Sequence, residues 1–209
     1  MEQTFLGLDA ELELHVSKDA KEARDVAFVR AFLLAHPLDA HLRAQQLGHL
    51  TGSGFVLDAS RERVLLLHHA RLQRWLQPGG HGEGELHPRQ IALREIEEET
   101  GLGPADLTPY PDARLLDVDV HLIPARPGEP AHPHLDLRFG FVAREGAQAR
   151  LSEESTALCW VSPAELGLGG PGESPRLAAA ARPARSGEPA LEVDASLRRA
   201  LRKLFPSLS

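Results

Sequence analysis

A glycine-rich loop that leads into a helix bounded by proline and glycine is the feature that most constrains this chain. The loop contains Gly79, Gly80, Gly82 and Gly84. Glycines let a backbone approach a ligand closely and adopt conformations that other residues avoid. Pro88 suits the first turn of a helix, where no backbone donor is missed, and Gly101 suits the left-handed residue that closes one. The spacing therefore predicts a helix of about three turns between them.

Three carboxylates share one face of the predicted helix. Glu95, Glu98 and Glu99 stand at i, i+3 and i+4, and apolar residues occupy the opposite side. Like charges at this spacing repel, and two of them lie near the negative end of the helix dipole. A solvated acidic face is one interpretation, and a bound divalent cation is the other. The adjoining glycine loop, which can supply backbone carbonyls or amides, favours the cation. Oxygen ligands of this kind suit Mg²⁺ or Mn²⁺.

The segment resembles the Nudix box, G-x5-E-x7-R-E-U-x-E-E-x-G-U, in which U is an aliphatic residue. The residues that match at the correct spacing are Gly80, Arg94, Glu95, Ile96, Glu98, Glu99, Gly101 and Leu102. The resemblance extends over about residues 50 to 166, because strands are predicted before and after the box helix. It implies an α+β fold, a Nudix-like α/β/α sandwich with a mixed sheet, here with N-terminal helices and a C-terminal helix added.

The resemblance also implies an activity and a set of site residues. The chain is expected to be a Mg²⁺-dependent hydrolase, with Mn²⁺ as the alternative ion. It would cleave the diphosphate linkage of a nucleoside diphosphate-X or nucleoside triphosphate substrate. Glu98 and Glu99 would bind the metal, with the Gly79 carbonyl as a further ligand. Glu95 would be a ligand or the base that orients the attacking water, and Arg94 would hold the glutamates by an ion pair.

One residue departs from the family pattern. The early glutamate of the box falls at position 86, which is Leu86, while Glu83 and Glu85 stand just before it. In the family this glutamate mainly braces the loop and the arginine. We expect Glu85 to take its place after a small adjustment of the loop, with Glu83 as the alternative.

Two other functions remain open beside hydrolysis. A non-catalytic nucleotide-binding or regulatory module on the same fold would accommodate Leu86, although the retained carboxylates argue against it. An isomerase of prenyl diphosphates would need a catalytic cysteine, and the single cysteine, Cys159, lies in an apparent core strand. ADP-ribose-like compounds, nucleoside triphosphates and sugar nucleotides are all substrate candidates.

Several polar residues outside the acidic helix are candidates for substrate or metal binding. The candidate substrate-binding residues are Arg74, His81, Arg126, His134 and Arg138. Arginine pairs with phosphate oxygens in a bidentate manner, although solvated surface arginines are the alternative. His121, His132, His134 and Asp136 gather around a proline-rich loop and could bind zinc, line a substrate or lie on the surface. Their spacing fits no compact tetrahedral zinc pattern. Glu145, Glu153 and Glu154 are candidates for a later acidic metal ligand.

Periodicity predicts the remaining elements and a division of the chain. We expect a helix from Ser17 to about His36, a helical stretch over 39–47 and an antiparallel hairpin of strands 55–57 and 64–68. Further strands are expected near 115–123, 135–142 and 157–161, and a C-terminal helix over 193–205. The predicted organisation is an N-terminal helical extension packed on the core (1–50), a Nudix hydrolase domain (51–166), a flexible connector (167–190) and a C-terminal helix (191–209).

Composition limits the partners that the chain can have. The 209 residues are 42% hydrophobic, which is enough to bury a sizeable core. A net charge of -7 without a dense Lys/Arg tract argues against nucleic-acid binding. The absence of a long apolar stretch or a signal-like start argues against a membrane and favours the cytoplasm. A small-molecule substrate is expected, and a homodimer is left open.

Overall fold

The computed structural model describes residues 5–168 and 191–205. The α-helices are α1 (Leu6–Leu14), α2 (Ala20–Ala35), α3 (Pro88–Thr100) and α4 (Ala195–Leu204). The strands are β1 (His49–Leu57), β2 (Val64–His69), β3 (Arg74–Leu76), β4 (Gly79–His81), β5 (Leu107–Pro109), β6 (Asp117–Ile123), β7 (His132–Ala143) and β8 (Ser155–Val161). The predicted connector lies, except for its first two residues, outside the described part of the chain. Within that part, no helix is long and apolar enough to cross a membrane.

The chain forms two compact units, each assembled from separate segments. The first unit comprises residues 1–54, 79–95 and 113–139, and the second comprises 55–78, 96–112 and 140–209. The chain passes from one unit to the other within β1, α3 and β7. The fold combines a mixed sheet with several helices, so the expected α+β class is confirmed.

In the first unit, close backbone approach brings the start of α3 onto β1. Strand β4 pairs antiparallel with β1, and Gly52 lies opposite Gly80. A Cβ atom placed on Gly52 would lie 2.1 Å from the carbonyl oxygen of Pro88, so any larger residue would push the helix away. Strand β6 pairs antiparallel with β7 along its whole length, from Asp117 opposite Arg138 to Ile123 opposite His132.

A buried charge network crosses the β6–β7 pair. The Arg138 side chain is 7% exposed and contacts three carboxylates, at 2.7 Å to Asp136, 3.2 Å to Asp117 and 3.3 Å to Asp119. Burial lowers the pKa of Arg138, but the three carboxylates outweigh burial and raise it. Asp136 also accepts hydrogen bonds from the hydroxyl groups of Thr51 and Ser53. The arginine therefore neutralises a group of acids that could not remain buried and ionised without it.

In the second unit, β2 pairs with strands from several parts of the sequence. It pairs antiparallel with β3 and β8, and Leu57 at the end of β1 lies opposite Val64. This pairing confirms the predicted hairpin. Helix α4 is capped by Asp194, whose side chain accepts the N–H of Leu197 at 2.8 Å. It buries the apolar stripe that periodicity predicted, namely Leu197, Ala200, Leu201 and Leu204.

Four N-terminal features differ from the sequence prediction. Helix α2 begins at Ala20, because the side chain of Asp19, and not that of Ser17, accepts the N–H of Glu22 and caps the first turn. The stretch 39–47 forms successive turns, stabilised by a 2.6 Å hydrogen bond from Gln45 to Asp39, and no helix. Helix α1 was not predicted. Strand β1 also begins earlier than expected, because residues from His49 onward are buried and Thr51 to Ser53 pair with β4.

Replacing the buried guanidinium tests the charge network. In Arg138→Met three buried carboxylates lose their cation, so we expect the free energy of unfolding in denaturant to fall by about 3–5 kcal/mol. Arg144→Met is the control, because Arg144 is 62% exposed in its ion pair with Asp106 and its loss should cost less than about 1 kcal/mol. Equal losses in the two variants would contradict the account of the network.

Candidate active site

Helix α3 has the bounds that its proline and glycine predict. Gly101 follows it with a φ of 72°, and its N–H donates to the carbonyl of Glu97 at 2.7 Å. The apolar side chains of Ile91, Ala92 and Ile96 are fully buried. Among the three carboxylates, Glu95 is half-buried, Glu98 is exposed and Glu99 is 8% exposed. The acidic face is therefore only partly exposed to solvent. A helix face of purely solvated charges would be exposed along its whole length.

Glycines bring the backbone of β4 against the first carboxylate. A Cβ atom on Gly80 would lie 2.4 Å from Oε1 of Glu95, and one on Gly79 would lie 2.3 Å from Oγ of Ser53. A side chain at position 80 would displace the Glu95 carboxylate, and one at position 79 would press on Ser53. Glycine at position 80 thus lets the Glu95 carboxylate pack directly on the strand.

Arg94 links the loop, the strand and the helix. Its guanidinium contacts Oε1 of Glu85 at 2.6 Å and Oε1 of Glu95 at 3.0 Å, and it donates to the carbonyl of His81 at 2.5 Å. The second oxygen of Glu85 accepts the backbone N–H of Glu83 at 2.7 Å. Leu86, at the position of the box glutamate, is 44% exposed. Glu85 therefore makes the contact with the arginine, and Glu83 contributes its backbone.

The surroundings of Glu85 favour its ionised form. Partial burial raises the pKa of the Glu85 carboxyl, but the backbone N–H groups of Glu83 and Glu85 and the guanidinium of Arg94 outweigh that effect. The pKa is therefore lowered from its ordinary value. A carboxylate that stays charged and holds a guanidinium is what the bracing position needs.

The candidate substrate-binding arginines lie in three different environments. Arg138 is enclosed by the carboxylates of the charge network, so the expected contact with phosphate would compete with those three ion pairs. Arg74 is exposed, pairs with Asp194 at 3.2 Å and lines a cavity of about 480 Å³ beside Trp75. Arg126 exchanges two backbone hydrogen bonds with Glu129 in a turn.

The structure brings the histidine candidates together with one that sequence reasoning missed. The Nε2 atoms of His81 and His134 are 3.1 Å apart. The rings of His49 and His132 pack beside that of His134, at centroid distances of 4.9 and 5.3 Å. His49 was missed because it lies more than 80 residues away in sequence, and only the β1 pairing brings it near. Asp136 belongs to the charge network instead.

The remaining candidates occupy simpler positions. Glu145, Glu153 and Glu154 are all exposed, the first in the turn after β7 and the other two just before β8. Cys159 is half-buried in β8, opposite Leu66. The expected core strand is therefore present, although the thiol is less buried than the sequence suggested.

Comparison with known proteins agrees with the geometry of the box. The NUDIX domain matches residues 48–184 of this chain. A probable DHNTP pyrophosphohydrolase of Lactococcus lactis is 26% identical over 125 residues, which are 60% of this chain and 73% of that protein. A C. elegans Ap4A hydrolase structure superposes with a TM-score of 0.52 at 19% identity, covering 76% of this chain and 96% of that one. An E. coli dihydroneopterin triphosphate pyrophosphohydrolase gives a TM-score of 0.47 at 18% identity, over 76% of this chain and 95% of that one.

The NUDIX match spans well over half of the chain, and it contains the glycine loop, the acidic helix and the arginine that joins them. The chain therefore belongs to the Nudix hydrolase family.

Proposed function

We propose that this chain is a Mg²⁺-dependent hydrolase that cleaves the diphosphate linkage of a nucleoside diphosphate-X or nucleoside triphosphate substrate. The observation that carries the proposal is the Arg94 guanidinium, which lies between Glu85 and Glu95 at 2.6 and 3.0 Å. It fixes the first carboxylate of the acidic helix against the glycine strand. The relative from L. lactis, named as a probable pyrophosphohydrolase, is consistent with this reaction class.

The chemistry of the donor set fits a hard divalent cation. Glu95, Glu98 and Glu99 offer carboxylate oxygens on one face of α3, and Gly79 offers a backbone carbonyl on the adjacent strand. Mg²⁺ prefers such oxygens and retains waters, which leaves room for substrate phosphates. Carboxylates at this spacing near the negative end of a helix repel one another, and one of the three is buried, so a bound cation would relieve the repulsion. Mn²⁺ takes the same ligands and is the alternative ion.

The side chains have separate tasks in the proposed reaction. Glu98 and Glu99 would hold the ion, with the Gly79 carbonyl as a further ligand. Glu95 would bind the ion or accept a proton from the attacking water, and Arg94 keeps its carboxylate in place. When bound, Mg²⁺ supplies charge withdrawal from the bridging phosphates and acidification of a water. The chain itself provides orientation, so no covalent intermediate with a side chain is required.

The non-catalytic alternative rests on Leu86, and the Glu85–Arg94 contact weakens it. If no residue had replaced the early glutamate of the box, Arg94 would have no carboxylate partner in the glycine-rich loop. Instead Glu85 occupies that place with a short ion pair and a second hydrogen bond to the loop backbone. This contact supports Glu85, one residue earlier in the sequence, as the bracing residue.

A substrate panel tests the proposed activity directly. The purified chain with Mg²⁺ should release phosphate, after a coupled phosphatase, from at least one member of a panel of ADP-ribose, nucleoside triphosphates, sugar nucleotides, dihydroneopterin triphosphate and Ap4A. Dihydroneopterin triphosphate is included because the L. lactis relative is named for it, and Ap4A because the C. elegans enzyme of similar fold is named for that compound. Binding of a panel member without turnover at any metal concentration would favour the non-catalytic module.

Substituting single carboxylates tests the metal assignment. Glu98→Gln and Glu99→Gln should each abolish turnover of the substrate found in the panel, because each removes a proposed Mg²⁺ ligand. In metal-free buffer their melting temperatures should equal or exceed that of the parent, since helix repulsion is relieved. Glu97→Gln is the matched control, being an exposed glutamate of the same helix. Retained turnover in both test variants would rule out the assignment.

Substitutions in the loop test which glutamate braces the arginine. Glu85→Gln should lower kcat by about 10- to 100-fold, as losses of residues that support metal ligands typically do. Glu83→Gln should have little effect, because Glu83 contributes its backbone N–H. Leu86→Glu in the Glu85→Gln background should restore part of the rate. A normal rate in Glu85→Gln together with a strongly reduced rate in Glu83→Gln would show that Glu83, and not Glu85, braces the arginine.

The same ion pair predicts a pH dependence of stability. Because the pKa of Glu85 is lowered on folding, its stabilising contribution is complete above the ordinary value of 4.5 and is lost as pH falls through the lowered value. The difference in unfolding free energy between the parent and Glu85→Gln should therefore be constant near neutrality and shrink in acid. A difference that grows as pH falls would contradict the sign of the shift.

A further inference from the structure

Three histidines of the first unit form a cluster that neither the acidic helix nor its proposed reaction uses. The cluster, called here the histidine cluster, consists of His49 on β1 and His132 and His134 on β7. One ring nitrogen from each lies within 4.8 Å of the others. His49 and His132 are 1% and 3% exposed, and His134 is half-buried. Such a concentration of imidazoles away from solvent calls for a physical explanation.

Hydrogen bonding fixes the tautomer of two members. Nδ1 of His132 lies 2.8 Å from the carbonyl oxygen of Pro130, and Nδ1 of His49 lies 3.5 Å from that of Gln45. A carbonyl only accepts, so each Nδ1 carries the proton and each Nε2 presents a lone pair. Metal-binding histidines are typically oriented in this way, with the distal ring N–H donated to a carbonyl or carboxylate.

Among the described residues, neither lone pair has a hydrogen-bond partner. Nε2 of His49 and Nε2 of His132 are buried and make no hydrogen bond there. Oε1 of Glu129 stands 3.8 Å from Nε2 of His132, beyond hydrogen-bonding distance. Buried polar atoms are nearly always paired, so an exception indicates an unseen water or ion. The third member, His134, has its Nε2 at 3.1 Å from Nε2 of His81 and would exchange that contact for the ion.

The surroundings disfavour protonation of His49 and His134. Burial lowers the pKa of His49, and burial together with the neighbouring histidines lowers the pKa of His134 to about 2. The groups that face His49 include Arg43, which opposes its protonation, and Glu129, which favours it. Neutral imidazole is the form that binds a metal ion.

We propose that His49, His132 and His134 bind a transition-metal ion of the Zn²⁺ class through their Nε2 atoms, with a fourth position beside His81. Imidazole nitrogens suit Zn²⁺ better than Mg²⁺, whereas the carboxylates of α3 have the opposite preference. Ligand nitrogens around zinc lie about 2.0–2.1 Å from the ion, so binding would draw together the three rings, whose nitrogens lie within 4.8 Å of one another. His121 and Asp136 are outside this ligand set, bound to Asp119 and to the charge network.

One member of the histidine cluster lines a cavity. His132 lines a pocket of about 420 Å³ together with Arg43, Gln45 and Glu129. The Glu129 carboxylate would attract a cation into this pocket, and the Arg43 guanidinium, 4.0 Å from that carboxylate, would oppose it. The carbonyl of Gln45 accepts a hydrogen bond from Nδ1 of His49. Of the three members, His132 is the one that an ion in this pocket would meet.

Cobalt provides a probe that separates this site from the acidic helix. The full chain, stripped with a chelator and kept in excess Mg²⁺, is titrated with Co²⁺ and followed by visible absorption. Four-coordinate Co²⁺ with imidazole ligands gives intense bands, whereas octahedral oxygen ligation gives weak ones. We expect intense bands at one equivalent, and the same result in Glu98→Gln, which lacks a proposed Mg²⁺ ligand. If the parent chain gives weak bands and no intense ones, the proposal is overturned, whatever the variants show.

Ring-preserving substitutions then test the ligand set. His49→Phe and His132→Phe should abolish the intense bands. They should also lower the affinity for Zn²⁺, measured against a chromophoric chelator, by more than the roughly 100-fold that is typical of losing a residue which only supports a metal ligand. His121→Phe is the matched control, since its ring lies 5.5 Å from that of His134 but is not a ligand. Intense bands that survive in His49→Phe or vanish in His121→Phe would overturn the ligand assignment.

Discussion

The geometry of the candidate active site depends on the contacts of the Arg94 guanidinium. It contacts a carboxylate on the loop, a carbonyl on β4 and the first carboxylate of α3. Three separate backbone segments are therefore fixed relative to one another by a single planar cation. Arginine suits this task because its donors point in several fixed directions and it stays charged when partly buried. Lysine could satisfy one of the contacts but not hold all three.

The position of Glu85 shows how a family pattern can be kept while its spacing changes. The helix fixes Arg94, but the loop before it is built from glycines and can shift by one residue at small cost. The interaction is set by the distance between charged atoms and not by the number of residues between them. Leu86 is consequently released to solvent, where it is 44% exposed.

Local rules predicted the elements that local interactions determine. Pro88 and Gly101 bounded α3, and apolar periodicity gave α4 and its buried stripe, because each depends on neighbours within a few residues. Competition between nearby caps explains the misplaced start of α2, where both Ser17 and Asp19 had suitable side chains. The N-terminal half of β1 and the contribution of His49 were missed because they depend on pairing with distant segments, which periodicity does not report.

Strand β4 contributes residues to both of the proposed donor sets. His81 accepts a hydrogen bond from Arg94 through its carbonyl, while its ring lies against His134. The adjacent Gly80 packs on Glu95. A hard oxygen set and a borderline nitrogen set select different ions, so occupancy of one need not exclude the other. The carbonyl and the ring of His81 therefore face different partners, Arg94 and His134.

Anomalous diffraction from a crystal soaked in Mn²⁺ tests the central claim most directly, because it locates the ion without reference to activity. The account predicts an anomalous peak within coordination distance of the carboxylates of Glu98 and Glu99, next to the Gly79 carbonyl. A well-ordered acidic helix with no peak beside it, or with Mn²⁺ bound only elsewhere, would contradict it.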